Sequence, residues 1–204
     1  GAAHGWRAFE CDLKLSADGV PFLLHDATLE RTTSGRGTAG ELPWAELSRL
    51  DAGGWHSRGF AGEPLPSLDA IAAFVLRNGY ALNIELKPSP GLERETGERG
   101  AQAALRLWAA AAGAMPPLLS SFSAEALRGA AASAPSLPRG RLLDELHEGW
   151  LDEALSLGCI AVIANHKLID ADRIAAIHAA GLRALCYTVN DALDAQRLQA
   201  AGID

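Results

Sequence analysis

From Tyr80 onward the chain alternates short apolar runs with longer stretches patterned at helical spacing, and this restricts the fold more than any other feature. The runs are Ala81 to Leu86, Leu118 to Phe122, Gly140 to Leu143, Cys159 to Ala164 and Ala184 to Val189. Between them apolar residues recur at helical intervals, as in Leu105, Leu107 and Trp108, in Leu151 and Leu155, and in Ile174 and Ile177. Continuous apolar strands separated by amphipathic helices are what a parallel sheet covered by helices needs. The punctuation agrees. Ser67, Ser123, Asp170 and Asn190 stand where helix N-caps belong, and Gly79, Gly158, Gly181 and Gly202 fall just past helix ends.

Residues 1–79 are built differently. Phe9, Cys11, Leu13 and Leu15 alternate with Glu10, Asp12, Lys14 and Ser16, a strand with one polar face. Asp18-Gly19 then signals a two-residue hairpin turn into the run Val20 to Leu24. Residues 30–66 are rich in Gly, Thr, Ser and Pro and read as a loop-rich insertion with one short helix near Trp44 to Leu50. Trp44, Trp55 and Phe60 within it are expected to pack in a core. The expectation is a single α/β domain over residues 1–204, with six parallel strands and a hairpin return. A (β/α)8 TIM barrel needs two more strands, and the first and last are expected to lie outside these residues; a doubly wound open sheet is the alternative.

Composition narrows the partners. With 204 residues and 49% of them apolar, the chain is long and greasy enough for one packed domain, and no apolar run nears the ~20 residues of a membrane span. Acidic residues outnumber basic ones 25 to 18, for a net charge of −7, with no Lys/Arg patch to hold nucleic acid. Cys11, Cys159 and Cys186 read as reduced, buried residues of a cytoplasmic protein. Because the chain opens on Gly1, its native start is expected upstream, where a signal peptide would also lie. Surface patterning singles out no subunit interface.

In a barrel, the reactive groups come from the C-terminal ends of strands. Polar residues recur there: Ser120 and Ser121, Asp144, Asn165 with His166, and Thr188 with Asn190. Within Leu82-Asn83-Ile84-Glu85-Leu86-Lys87, period two puts Asn83, Glu85 and Lys87 on one face. An inward acid is costly unless a cation or hydrogen bonds meet it, and one of only three lysines stands two residues away. If Asp18 and Gly19 form the turn, Asp12 faces His25 directly, with Glu10 on the same face; a one-residue shift would send His25 to the other side. Three carboxylates, Glu10, Asp12 and Glu85, on neighbouring strand ends repel by about 3 kcal/mol per pair at ~5 Å and an effective dielectric of ~20. Two readings fit: a shared hard divalent cation, Mg²⁺ or Ca²⁺, or separate acids paired with Arg7 or Lys87. His25 likewise reads as a general acid or base near neutrality or as a hydrogen-bonded loop histidine. His4, His56, His147 and His178 are expected to have no acidic or metal partner and read as surface or packing residues, and His166 as a loop residue.

These residues carry a resemblance. Phe9-Glu10-Cys11-Asp12-Leu13, Ala17-Asp18-Gly19-Val20-Pro21 and the block from His25-Asp26 through Arg31-Thr32-Thr33 resemble the glycerophosphodiester phosphodiesterase family of bacterial cytoplasmic type. Leu50-Asp51-Ala52-Gly53, Pro64 to Leu68, Asn83 to Pro88, Ser120-Ser121-Phe122 and Tyr187-Thr188-Val189-Asn190 are similar to its later blocks, in the same order and over nearly the whole chain. The resemblance implies a metal-dependent barrel that hydrolyses glycerophosphodiesters to sn-glycerol 3-phosphate and an alcohol. It implies metal carboxylates at Glu10, Asp12 and Glu85, one of two acid/base histidines at His25, and a phosphate-contacting lysine at Lys87. Phe122 and Tyr187 fall on pocket positions, with Tyr187 where the family usually has tryptophan. Residues 30–66 would be the insertion that caps one side of the site. The family's opening His-Arg-Gly strand and its closing strand have no counterpart here, so the isolated segment is expected to be a poor catalyst and a portion of an intact enzyme. Three other readings share some of these residues: a cyclising phospholipid-headgroup phosphodiesterase, an inactive phosphodiester-binding module, and an aldolase or lyase with Lys87 as Schiff-base nucleophile.

Overall fold

The computed structural model describes residues 1–111 and 113–204. Its strands are β1 (Ala8–Leu15), β2 (Pro21–Leu23), β3 (Ala81–Leu86), β4 (Leu118–Ser121), β5 (Arg139–Leu143), β6 (Ala161–Asn165) and β7 (Arg183–Tyr187). Helices α1 (Trp44–Leu47), α2 (Leu68–Asn78), α3 (Glu93–Ala109), α4 (Ala124–Ser133), α5 (Trp150–Ser156), α6 (Ala171–Ala179) and α7 (Ala192–Ala201) intervene. The strands form one sheet in the order β2-β1-β3-β4-β5-β6-β7, parallel throughout except for β2. Six parallel strands in sequence order, each joined to the next through a helix, are the βα units of a (β/α)8 barrel, with β2 and β7 at the two edges of the described sheet.

The caps follow the local chemistry. Ser67, Ser123 and Asp170 accept from the N–H groups of Ala70, Ala126 and Arg173. At α7 the cap is Asp191, not Asn190: its carboxylate accepts from Leu193 and Asp194, one residue later than expected. Leu13, Leu82, Ile84, Leu86 and Leu119 on the outward face of the first strands pack against α2, α3 and α4, and a second cluster joins β5–β7 to the later helices. The face of α3 turned to this core carries the small residues Gly97, Gly100, Ala101 and Ala104 with Trp108 at its end, and Leu105 and Leu107 pack on it in part. A methyl on Gly97 would lie 1.9 Å from the Ala126 carbonyl oxygen, and one on Gly129 2.3 Å from that of Arg94. Helices α3 and α4 thus meet backbone to backbone.

The hairpin differs from expectation by one residue. Leu13 pairs with Leu23, Lys14 with Phe22 and Leu15 with Pro21, so the loop is Ala17 to Gly19 rather than Asp18-Gly19 alone. A two-residue type I′ turn needs φ > 0 at both positions, whereas here only Gly19 takes it, at +77°. Asp18 is held instead by its side chain: Oδ1 accepts from the Ser16 hydroxyl at 2.6 Å and from the Trp44 N–H at 2.8 Å. Ala39, Leu47 and Leu65 of the insertion pack with Leu29 on Phe22 and Leu24, with Trp44 beside them. Its helix is shorter than expected, ending at Leu47. Trp55 and Phe60 do not join that core; they are 55% and 52% exposed, stacked edge-on against His56.

Candidate active site

Strands β1 and β3 run parallel with Glu10 opposite Asn83 and Asp12 opposite Glu85. Alternation turns all four to the inner face while Leu82, Ile84 and Leu86 go to the core. Lys87 continues the ladder one step, its N–H donating to Leu13 O, and its Nζ lies 3.1 Å from Asp12 Oδ1 and 3.6 Å from Glu85 Oε1. Glu10, Asp12 and Glu85 each offer a carboxylate oxygen within 4.8 Å of the other two.

One ammonium does not neutralise three acids so placed. The Glu10 carboxyl is pushed up to about 7, first by burial and then by Asp12 and Glu85. That of Glu85 is raised by burial, with Asp12 adding to the effect and Lys87 opposing it. Glu85 Oε1 is buried with no hydrogen-bond donor. An all-oxygen set with a surplus of negative charge and an orphaned acceptor suits a hard divalent cation. Beneath it Lys14, only 3% exposed, donates from Nζ to the Lys87 carbonyl at 3.3 Å, and burial followed by the charge of Lys87 holds its ammonium below the ordinary lysine range.

His25 reaches this cavity by a different route from the expected one. With the hairpin shifted, Asp12 stands opposite Leu24, whose N–H donates to the Asp12 carbonyl, so His25 is not its ladder partner. Strand β2 ends at Leu23 and the chain bends at His25 to Ala27, returning the histidine to the pocket. Its Nδ1 lies 2.8 Å from Asp26 Oδ1. Asp26 is gripped in turn by the Arg31 guanidinium through Nε and Nη2, and Arg31, then His25, hold its carboxyl far below the usual carboxylate range. An ionised acceptor beside Nδ1 favours the ring proton on that nitrogen, which leaves Nε2 without it. This clamp was not singled out from sequence, although the His25-Asp26 step with Arg31 five residues on carries its signal.

The cavity of about 820 Å³ along the inner face takes in Glu10, Asp12, His25, Glu85 and Lys87. Phe122 and Tyr187 wall it, their rings 5.7 Å apart and perpendicular, with the Tyr187 hydroxyl donating to Leu143 O at 3.0 Å. Burial, then Asp144 and Glu85, raise that phenol above its ordinary value. Asn83, Cys186 and Thr188 also line the space, whereas His166 lies 3.6 Å from Asp194 and outside it. His147 and His178 depart from the expectation of unaccompanied residues: Nε2 of His147 is 3.8 Å from Glu153 Oε2, and Nε2 of His178 is 2.8 Å from Asp204, contacts with residues outside their own segments.

Comparison with known proteins shows the family and the fold. The model of the glycerophosphoryl diester phosphodiesterase family matches residues 1–204. A glycerophosphodiester phosphodiesterase of Caldanaerobacter subterraneus subsp. tengcongensis is 28% identical over 98% of this chain and 81% of its own length. An Oleispira antarctica phosphodiesterase, solved in complex with the product sn-glycerol-3-phosphate, superposes with a TM-score of 0.90 at 34% identity, covering 99% of this chain and 81% of that one. The glycerophosphodiester phosphodiesterase of Agrobacterium tumefaciens str. C58 gives 0.77 at 26% identity, covering 99% and 83%. A family match over all of residues 1–204, together with solved relatives of the same fold, shows that the chain belongs to the glycerophosphoryl diester phosphodiesterase family.

Proposed function

We propose that this protein hydrolyses glycerophosphodiesters to sn-glycerol 3-phosphate and an alcohol, with Glu10, Asp12, His25, Glu85 and Lys87 as its working residues. The observation that carries the reading is the meeting of three carboxylate oxygens within 4.8 Å, beside a lysine and in the same cavity as an aspartate-clamped histidine. Glu10, Asp12 and Glu85 hold a divalent cation, Mg²⁺ or Ca²⁺, which when bound supplies positive charge for a phosphate oxygen. Lys87 adds its ammonium to the same phosphate, so that with the ion bound the three carboxylates are balanced where an anionic substrate docks. His25 moves a proton at Nε2, either from the attacking hydroxyl or to the departing alkoxide, and Asp26 keeps Nδ1 protonated. Phe122 and Tyr187 flank the organic part of the substrate and exclude water. Residues 30–66 cap one side of the site within a single barrel domain spanning 1–204.

The substrate is a small molecule. No helix among the described residues is long and apolar enough to cross a membrane. The free thiols of Cys11, Cys159 and Cys186 support a reducing, cytoplasmic setting. The test is hydrolysis of glycerophosphocholine by the intact gene product, with and without chelator and in Glu85→Ala. Turnover lost in both arms is expected, and turnover retained in either would overturn the site. A second reading, cyclising attack on phospholipid headgroups, draws on the exposed Trp55 and Phe60. It predicts a cyclic phosphate product, distinguishable from sn-glycerol 3-phosphate by phosphorus NMR.

A further inference from the structure

Arg141 is a buried charge that the chemistry above does not use. It lies on β5, 8% exposed, and its Nε donates to Glu153 Oε2 of α5 at 2.8 Å. Its Nη1 donates to three carbonyls: Leu142 at 2.9 Å, Ser121 at 3.3 Å, and Phe122 by the shortest of the three contacts. A guanidinium so enclosed needs acceptors, and two of those that Nη1 finds lie on another element, at the end of β4. The residues around Phe122 are pinned as well. The Ser121 hydroxyl donates to Leu86 O at 2.6 Å and accepts from the Ser123 N–H at 3.0 Å, and Ser123 caps α4. Phe122 itself is 37% exposed, with its ring against Tyr187. A half-exposed ring gains little orientation from packing, so its direction follows from the backbone that carries it.

We infer that Arg141 is a positioning residue for the substrate pocket: anchored by Glu153, it holds the Phe122 carbonyl and thereby sets the Phe122 ring against Tyr187. The inference rests on the hydrolytic reading and on Phe122 touching the substrate. Arg141 contacts neither the carboxylates nor His25, so its loss acts on substrate binding and leaves proton transfer in place.

The test is a double-mutant cycle on glycerophosphocholine hydrolysis by the intact gene product. Arg141→Leu is expected to raise KM about tenfold with kcat within about twofold of wild type, and Phe122→Ala to raise KM comparably. In the Phe122→Ala background, Arg141→Leu is expected to add nothing further to KM, because the ring it aims is gone. Arg141→Lys, which keeps the charge but loses the fork, is expected to fall between. Should Arg141→Leu fail to fold, Glu153→Gln carries the same cycle, with a smaller KM rise that also vanishes without the Phe122 ring. An undiminished KM effect of Arg141→Leu in the Phe122→Ala background would show a general structural role and overturn the inference, as would an unchanged KM in either single variant. Absence of turnover by the wild type would overturn the hydrolytic reading and the inference with it; wild-type turnover with an additive cycle would sink the inference alone.

Discussion

Asp26 sits at the junction of two demands, since it accepts from His25 on one side and from Arg31 on the other. Asp26→Asn keeps the shape but puts an amide where a carboxylate fixed the tautomer. We predict a kcat loss of about 10- to 100-fold with KM and melting temperature little changed, measured by steady-state kinetics and thermal melts. The carboxylate cluster makes a prediction that needs no turnover. Added Mg²⁺ or Ca²⁺ should stabilise the fold, by about 2.7 kcal/mol at a hundred times its dissociation constant. Glu85→Gln should abolish most of that gain in thermal melts, and equal gains in wild type and variant would mean that the ion binds elsewhere. At this scale the sequence was generous. Glu10, Asp12, Glu85 and Lys87 declared themselves through period two along strands, whereas the Asp26–Arg31 clamp lies in a bend that no periodicity describes.

Elements were legible where hydrogen-bonding is local. The βα alternation and the serine and aspartate caps follow from spacing and side-chain chemistry, and the strands fall within a residue or two of their apolar runs. The hairpin was not, because its register depends on which turn the backbone adopts. Asp18 is drawn to Ser16 and to the Trp44 N–H of a distant segment, leaving Gly19 as the only left-handed residue. Gly19→Val should therefore cost about 1 to 2 kcal/mol in urea unfolding, from backbone conformation and not crowding. A Cβ at this position would lie 2.6 Å from the movable end of the Arg99 side chain. The exposure of Trp55 and Phe60 was illegible for a related reason: nothing in a loop's composition says which of its aromatics finds a core.

At the scale of the whole molecule, contacts between segments far apart in sequence set the response to pH. Asp204 accepts from Arg183 at 2.6 Å and from the Ala184 N–H at 2.8 Å, and also meets His178. Arg183 first, then the Ala184 N–H, bring its carboxyl down to about 2. A depressed carboxylate stabilises the fold above its unfolded value near 3.9 and loses that contribution as pH falls through about 2. Unfolding free energy measured between pH 5 and 2 should drop more steeply in wild type than in Asp204→Asn, by roughly 1 kcal/mol once solvent screening is allowed for. Parallel curves would remove Asp204 from the account.

The backbone contact between α3 and α4 has a consequence for how such a chain can diverge. At Gly97 and Gly129 the free space is smaller than a methyl group, so neither position has a neutral neighbour in sequence space. The Ala126 carbonyl that would be struck lies in the first turn of the helix capped by Ser123, next to the pocket wall. Gly97→Ala, conservative by any table of amino-acid similarity, should then be among the harsher replacements on the surface-facing half of the molecule. A deep mutational survey ought to find those two glycines as intolerant as Glu10, Asp12 and Glu85.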